Sequence, residues 1–464
     1  MFDFKFDWNN SPYFKQEGVE SSPIPYFKYT VLGFLIIQII ETILDFLERR
    51  VFFEKSPSED VLNLARSIDA ENNVTKDSED SLEGKILNSF EKNQVYNREK
   101  SGFGLIHSVY SFIQDLFLLF IGSDVYFWEL CKKITVKFGL PENEYIYSFL
   151  LTLIITILSS ITSFPWGYYE VFHIEQKYGF NRSTRYTFVT DILKNILVEV
   201  IISGVMNSGI IYIVQHFGSS FYIYTWIAFV SFSLFINLIY PVVIMPLFNK
   251  LSPLEPGALR SSLESLCSET HYNCKKMYIM DGSKRSSKGN AMAYGLCGNN
   301  GIILYDTIVE KMSIREMTAV LSHELGHWKY CHIYISLFTN SLNFFVILYL
   351  FSFFIHNQDF YHSFGFSETP VVIGFNLFLS CIWLVLNHLT SFFENFMSRA
   401  MEFAADRFAC KKGYGVELKR GLYKLHIDNG SCLKPNKLVS LLRYDHPTLI
   451  ERCDSIDEYL KKHE

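Results

Sequence analysis

His323-Glu324-Leu325-Gly326-His327 sets two imidazoles four residues apart, with a carboxylate next to the first. On an α-helix that spacing puts both rings on one face, where they can share a single metal ion. Glu324 lies beside that face and is placed to take a proton from a water that the metal activates, which is the arrangement zinc-dependent hydrolysis needs. The helix is legible too. Ser313-Ile314-Arg315-Glu316 reads as a capping box, and Met317, Val320, Leu321 and Glu324 follow at helical spacing. With thirteen histidines in 464 residues, the motif at the end of such a helix is seldom a coincidence.

A catalytic zinc takes three protein ligands and a water, so two histidines are not enough. Tyr330 and Ile333 stand where an extended H-E-x-x-H-x-x-G-x-x-H pattern would place Gly and His, so the third ligand comes from a distant segment. Glu394 and Glu402 are the candidates. Spacing favours Glu402, because Ala404 and Ala405 allow its helix a close approach and Asp406, one turn on, can hold a ligand histidine. Glu394 reads as an interfacial charge. His446, in Tyr444-Asp445-His446-Pro447, could donate to a developing oxyanion, although a packed turn residue is its plainer reading. His332, His356 and His362 lie near membrane boundaries and read as ordinary interfacial residues.

The elements that must carry these residues are largely apolar. Hydrophobic residues make up 49% of the chain and charged ones 19%, and the net charge of −6 is spread without a basic stripe. Nucleic acid is therefore not an expected partner; a lipid bilayer is. Runs of about twenty apolar residues at roughly 29–48, 104–122, 146–164, 187–214, 221–245, 333–355 and 370–393 predict membrane spans. Lys and Arg in the connections predict a lumenal N-terminus, with the His323 motif and the C-terminus in the cytosol; Lys132, Lys133 and Lys137 run against this. Nine scattered cysteines argue against a disulfide framework. Glu41, Asp45, Asp115, Asp191, Lys194 and Glu199 sit inside the spans and must face partners or enclosed water, which suggests a helical ring around a hydrated interior. For Asp191 and Lys194 taken alone, mutual pairing is the plainer reading.

The organisation expected is a membrane region over 1–250 with five spans and a charged cytosolic loop at about 54–103, whose middle is expected to be mobile. A soluble insert over 251–332 carries a helix near 258–268 and strands at 276–280 and 301–305 ahead of the motif helix. Two further spans occupy 333–394, and a helical cytosolic region follows over 395–464.

Together these residues resemble the type I CAAX prenyl protease family of integral-membrane zinc metalloproteases. The resemblance runs from Phe172 to Asn181, through Pro246-Leu247-Phe248-Asn249-Lys250, Ser283 to Ser287, Asn290-Ala291 and His323 to Trp328, to Ser398-Arg399, Glu402, Ala405-Asp406, His446-Pro447 and Arg452. It implies a mainly α fold, seven transmembrane helices ringing a large hydrated chamber. It implies one Zn2+ per chain on His323, His327 and Glu402, with Glu324 as base, His446 assisting and Asp406 supporting the ligands. Asn290 and Arg452 are implied at the substrate: Asn290 beside its extended backbone, Arg452 near its carbonyl or C-terminal end. The activity implied is removal of the last three residues from prenylated Cys-a-a-X proteins. Lys288 and Met292-Ala293 depart from the family's usual His and aromatic residues around Asn290. Lys461-Lys462-His463-Glu464 resembles an endoplasmic-reticulum retrieval tail, with the inner nuclear membrane a second expected location. The competing readings are a broad quality-control protease and an inactive scaffold or transporter.

Overall fold

A chain inside a bilayer must satisfy its own backbone hydrogen bonds, which is why the apolar stretches here are helices. The computed structural model describes residues 12–76, 78–296 and 298–463. Its principal helices are α1 (Tyr26–Val51), α2 (Leu82–Ile121), α3 (Glu144–Tyr169), α4 (Arg185–Phe217), α5 (Phe221–Ile239), α6 (Ala258–Thr270), α7 (Ile314–Lys329), α8 (His332–Phe351), α9 (Leu384–Lys411), α10 (Gly415–Asp428) and α11 (Leu449–His463).

Among the described residues, six helical stretches are long and apolar enough to cross a membrane. One of them, Arg185–Phe248, is broken into α4 and α5 at Gly218, whose φ of 52° a side chain would resist, so seven spans result. The spans close into a ring. α1 packs on α2, and α2 meets α3 where Phe103, His107 and Tyr110 lie against Trp166. From there α3 packs on α4, α4 on α5, α5 on α8, α8 on α9, and α9 on α1.

Glu41, Asp45, Asp191 and Lys194, among the charges inside the spans, have partners within the protein. Arg443 reaches Glu41 and Asp45, and Asn343 donates to Glu394 at 2.9 Å. Asp191 and Lys194 do not pair. Asp191 instead accepts two bonds from the Arg285 guanidinium, at 2.7 and 2.9 Å, while Lys194 donates to the Leu247 carbonyl at 2.7 Å. The planar fork of an arginine matches a carboxylate better than a single ammonium does. Lys132, which ran against the charge rule, lies on the helix Ser123–Lys137 that follows α2 and is held by Glu129 and Glu368.

The insert holds a sheet of four strands, β1 (Leu251–Pro253), β2 (Lys276–Met280), β3 (Ala291–Leu296) and β4 (Asn299–Tyr305), in the order β1-β2-β4-β3. β2 and β4 run parallel, and the two outer strands pair antiparallel to them. The sequence concealed β3, because alanine, methionine and glycine are weak strand formers; pairing with β4 fixes it. Ile302 and Leu304 of β4 bury against Leu321 and Leu325 of α7, with Leu422 and Tyr423 of α10 in the same core.

Over 54–103 the expected loop is largely helix. Glu59–Glu71 sends Val61, Leu62, Ala65 and Ile68 into the core that holds α7, and α2 begins at Leu82. The charges that made this stretch read as a loop answer buried cations on α10. Arg420 pairs with Asp69 and Asp80, Lys424 with Asp80, and Lys419 with Glu71 and Asp457. Arg420 and Lys424 also grip Glu316 at 3.1 and 2.8 Å. The loop thereby braces the first turn of α7.

Candidate metal centre

α7 starts as its sequence predicts. The Ser313 N–H donates to Glu316 Oε2 at 2.8 Å, and the Glu316 N–H donates back to Ser313 Oγ at 3.3 Å. The helix then carries His323 and His327 to α9, where Glu402 meets them. His323 Nε2 lies 3.1 Å from His327 Nε2; Glu402 oxygens stand 3.2 Å from His327 Nε2 and 3.4 Å from His323 Nε2. Ligands at 2.0–2.1 Å around a tetrahedral ion are separated by about 3.3 Å, close to these separations, with Glu402 facing His327 through Oε1 and His323 through Oε2. Glu402 Oε2 is buried and makes no hydrogen bond, although His323 and an Arg452 nitrogen are within 3.4 Å. A buried carboxylate oxygen in that position is suited to a cation. Glu394 is absent from this group; among the described residues His323, His327 and Glu402 form the one metal-competent cluster.

The next layer of contacts orients these groups. Asp406 accepts from His323 Nδ1 at 2.9 Å and takes two bonds from Arg452, at 2.6 and 2.9 Å. Arg452, expected near the substrate carbonyl or C-terminal end, lines the cavity into which the centre opens while bonding to Asp406 and facing Glu402, and only 6% of it is exposed. Burial and the Arg452 charge both oppose protonation of His323, yet Asp406 and Glu402 outweigh them and raise its pKa to about 9. His446 Nε2 lies 3.4 Å from Glu402 Oε1, and its Nδ1 is 2.8 Å from Asp445. Sequence reasoning missed His332. Far from being an interfacial residue, it is buried, with Nδ1 2.9 Å from His327 Nδ1. Five residues is not a helical spacing, and no sequence signal announced the turn that folds it back.

The centre opens into a cavity of about 1020 Å³, lined among others by Glu324, Asn290, Lys288, His426 and His446. Glu324 is half-buried and borders the same space as the ligands. Asn290 is exposed at the head of β3, the outermost strand, and its side chain accepts from the Ala291 N–H at 2.9 Å. Lys288 reaches Tyr96 at 3.1 Å and Glu175 at 3.3 Å; burial lowers its pKa, and the nearby Lys100 charge adds to that.

A helical ring with this donor set at its cavity defines an integral-membrane metallopeptidase. Residues 71–250 match the family model for a CAAX prenyl protease N-terminal region of five membrane helices, and residues 253–460 match peptidase family M48. A CAAX prenyl protease 1 homolog from Arabidopsis thaliana is 37% identical, covering 94% of this chain and 99% of that protein. CAAX prenyl protease 1 of Saccharomyces cerevisiae is 34% identical, covering 81% of this chain and 87% of the other. The crystal structure of S. mikatae Ste24p superposes with a TM-score of 0.82 at 29% identity, over 94% of this chain and all of that one. The chain belongs to the CAAX prenyl protease family of M48 peptidases.

Proposed function

We propose that this protein removes the C-terminal tripeptide from prenylated Cys-a-a-X proteins by zinc-dependent hydrolysis. The observation that carries the reading is the meeting of His323, His327 and Glu402, with 3.1 to 3.4 Å between their facing ligand atoms, beside Glu324 and a cavity of about 1020 Å³. Zinc, when bound by those three residues, supplies Lewis acidity to the scissile carbonyl and to the attacking water. Glu324 takes the proton from that water and passes it to the leaving amine. His446, beside Glu402, donates to the oxygen on which charge develops. Asp406 accepts from His323 Nδ1 and so turns its Nε2 towards His327 and Glu402, and Arg452 holds Asp406. Substrate lies along the free edge of β3, where main-chain bonds give affinity and Asn290 marks one end. A prenylated protein is retained at a bilayer, which accounts for a protease built within one.

The membrane in question is the endoplasmic reticulum, with the centre on its cytosolic face; glycan on Asn73, Asn181 or Asn429 would contradict that orientation. The deciding assay compares purified protein on farnesylated and unprenylated versions of one Cys-a-a-X peptide. Faster release of the tripeptide from the farnesylated form is expected. A preference for the unprenylated or for unstructured chains would replace this reading with broad quality control.

A further inference from the structure

We propose that His332 is the positioning residue that fixes His327 for metal binding, by accepting the proton on His327 Nδ1. This rests on the metal reading of the His323–His327–Glu402 group. A histidine that binds a metal through Nε2 must carry its proton on Nδ1, and an acceptor at Nδ1 holds that tautomer and the ring's direction. His323 has the Asp406 carboxylate in that role, 2.9 Å from its Nδ1. His327 has no carboxylate there. Its Nδ1 faces His332 Nδ1 at 2.9 Å, with the two rings edge to face. One proton lies between two nitrogens. For His327 to keep an Nε2 lone pair, that proton belongs to His327, and His332 accepts with its own proton on Nε2.

The backbone supports the assignment. His332 is the first residue of α8, a membrane helix, and only 6% of it is exposed. It reaches the last turn of α7 because Cys331 adopts a left-handed conformation, φ 57° and ψ 30°, one of three non-glycine residues with positive φ among the described residues. That conformation is rare for a residue with a side chain, so the surrounding structure must hold the connection bent. The bend returns His332 to His327 and joins the metal helix directly to the ring. The two ligand histidines are therefore steadied from different sides, His323 by α9 and His327 by α8.

The test uses full-length protein in detergent and reads zinc affinity by competition with a chelator, not activity alone. Asn places an oxygen near the position of the histidine Nδ1, whereas Gln places one near Nε2 and Leu offers none. His332→Leu and His332→Gln should weaken zinc binding about 10–100-fold, and His332→Asn should stay within a few-fold of the parent. Cobalt-substituted protein should show a changed visible spectrum in the Leu and Gln variants only. Melting of each metal-free variant gauges packing separately. If His332→Leu does not fold, the contrast between Asn and Gln still decides. Equal affinities for Asn and Gln, or parent-like affinity in Leu, would overturn the inference. A parent protein that binds no zinc would instead overturn the metal reading beneath it.

Discussion

Gly326 and Ala405 bring α7 and α9 into close contact. A Cβ on Gly326 would stand 3.0 Å from Ala405 Cα and 3.1 Å from Phe408 Cβ. Because Gly326 adjoins His327 and Ala405 lies one turn beyond Glu402, this contact sets the distance between the histidine pair and the carboxylate. Gly326→Ala would push the helices apart by a few tenths of an ångström. Overpacking costs about 1–3 kcal/mol, and alanine's better helix propensity returns about 1 kcal/mol. The melting temperature should therefore move by only a few degrees. Zinc affinity and turnover should fall about tenfold or more, since a shift of about 1 Å at a reacting centre can cost about 100-fold. Parent-like activity would show that the site tolerates the wider spacing.

Glu324 borders the cavity beside the ligands but is outside their cluster, so its removal should separate binding from turnover. Glu324→Gln should retain one zinc per chain while kcat falls about 100–10,000-fold, the range for losing a proton-transfer group. Metal analysis alongside a peptide-cleavage assay checks both halves. Phenanthroline should abolish cleavage in the parent and added zinc restore it; cleavage by fully stripped protein would eliminate metal-dependent chemistry.

What could be read from the sequence was whatever depends on local spacing. The motif helix and its cap, the apolar spans and the approach of α9 through Ala405 all follow from residues within a turn or two of one another. What could not be read depends on partners far along the chain. The stretch 54–103 resembles a solvated loop until Arg420, Lys424 and Lys419, more than 300 residues away, supply its counter-charges. The bonds of Arg452 to Asp406 and its approach to Glu402 were not legible, because nothing local places those carboxylates beside it. His332 was hidden by a single left-handed residue, Cys331. β3 was hidden because its neighbour, not its composition, makes it a strand.

His426 makes stability depend on pH. Burial, with the Arg452 charge adding to it, lowers its pKa from 6.5 to about 4. The unfolded chain therefore binds a proton more readily than the folded one. The stabilisation is complete above about pH 6.5 and is lost as pH falls from there towards about 4. Thermal melting at pH 7.5 and pH 5 should show a lower transition in acid, and His426→Phe should narrow the gap. An unchanged gap would assign the acid sensitivity to other groups.

Arg443 links the first span to the loop that bears His446. Glu41, Asp45 and Glu48 lie along one face of α1. Arg443 bonds to the first two, and Glu48 accepts from the Asn436 N–H at 3.0 Å and from Tyr444 Oη at 2.8 Å. The segment 436–444 is thus fastened to the ring at three points, two residues before His446. Arg443→Asp should lower kcat about tenfold while leaving zinc content unchanged, because His446 is not a ligand. The pair with Asp45 is about 30% exposed on each side, so its loss alone should cost about 1 kcal/mol, with repulsion between the introduced carboxylate and those of Glu41 and Asp45 adding to that. Reversing the pair, with Asp45→Arg beside Arg443→Asp, should recover much of the lost kcat. A charge swap can restore only what the ion pair itself provides, so a double variant no better than Arg443→Asp would mean that His446 holds its place without the tether.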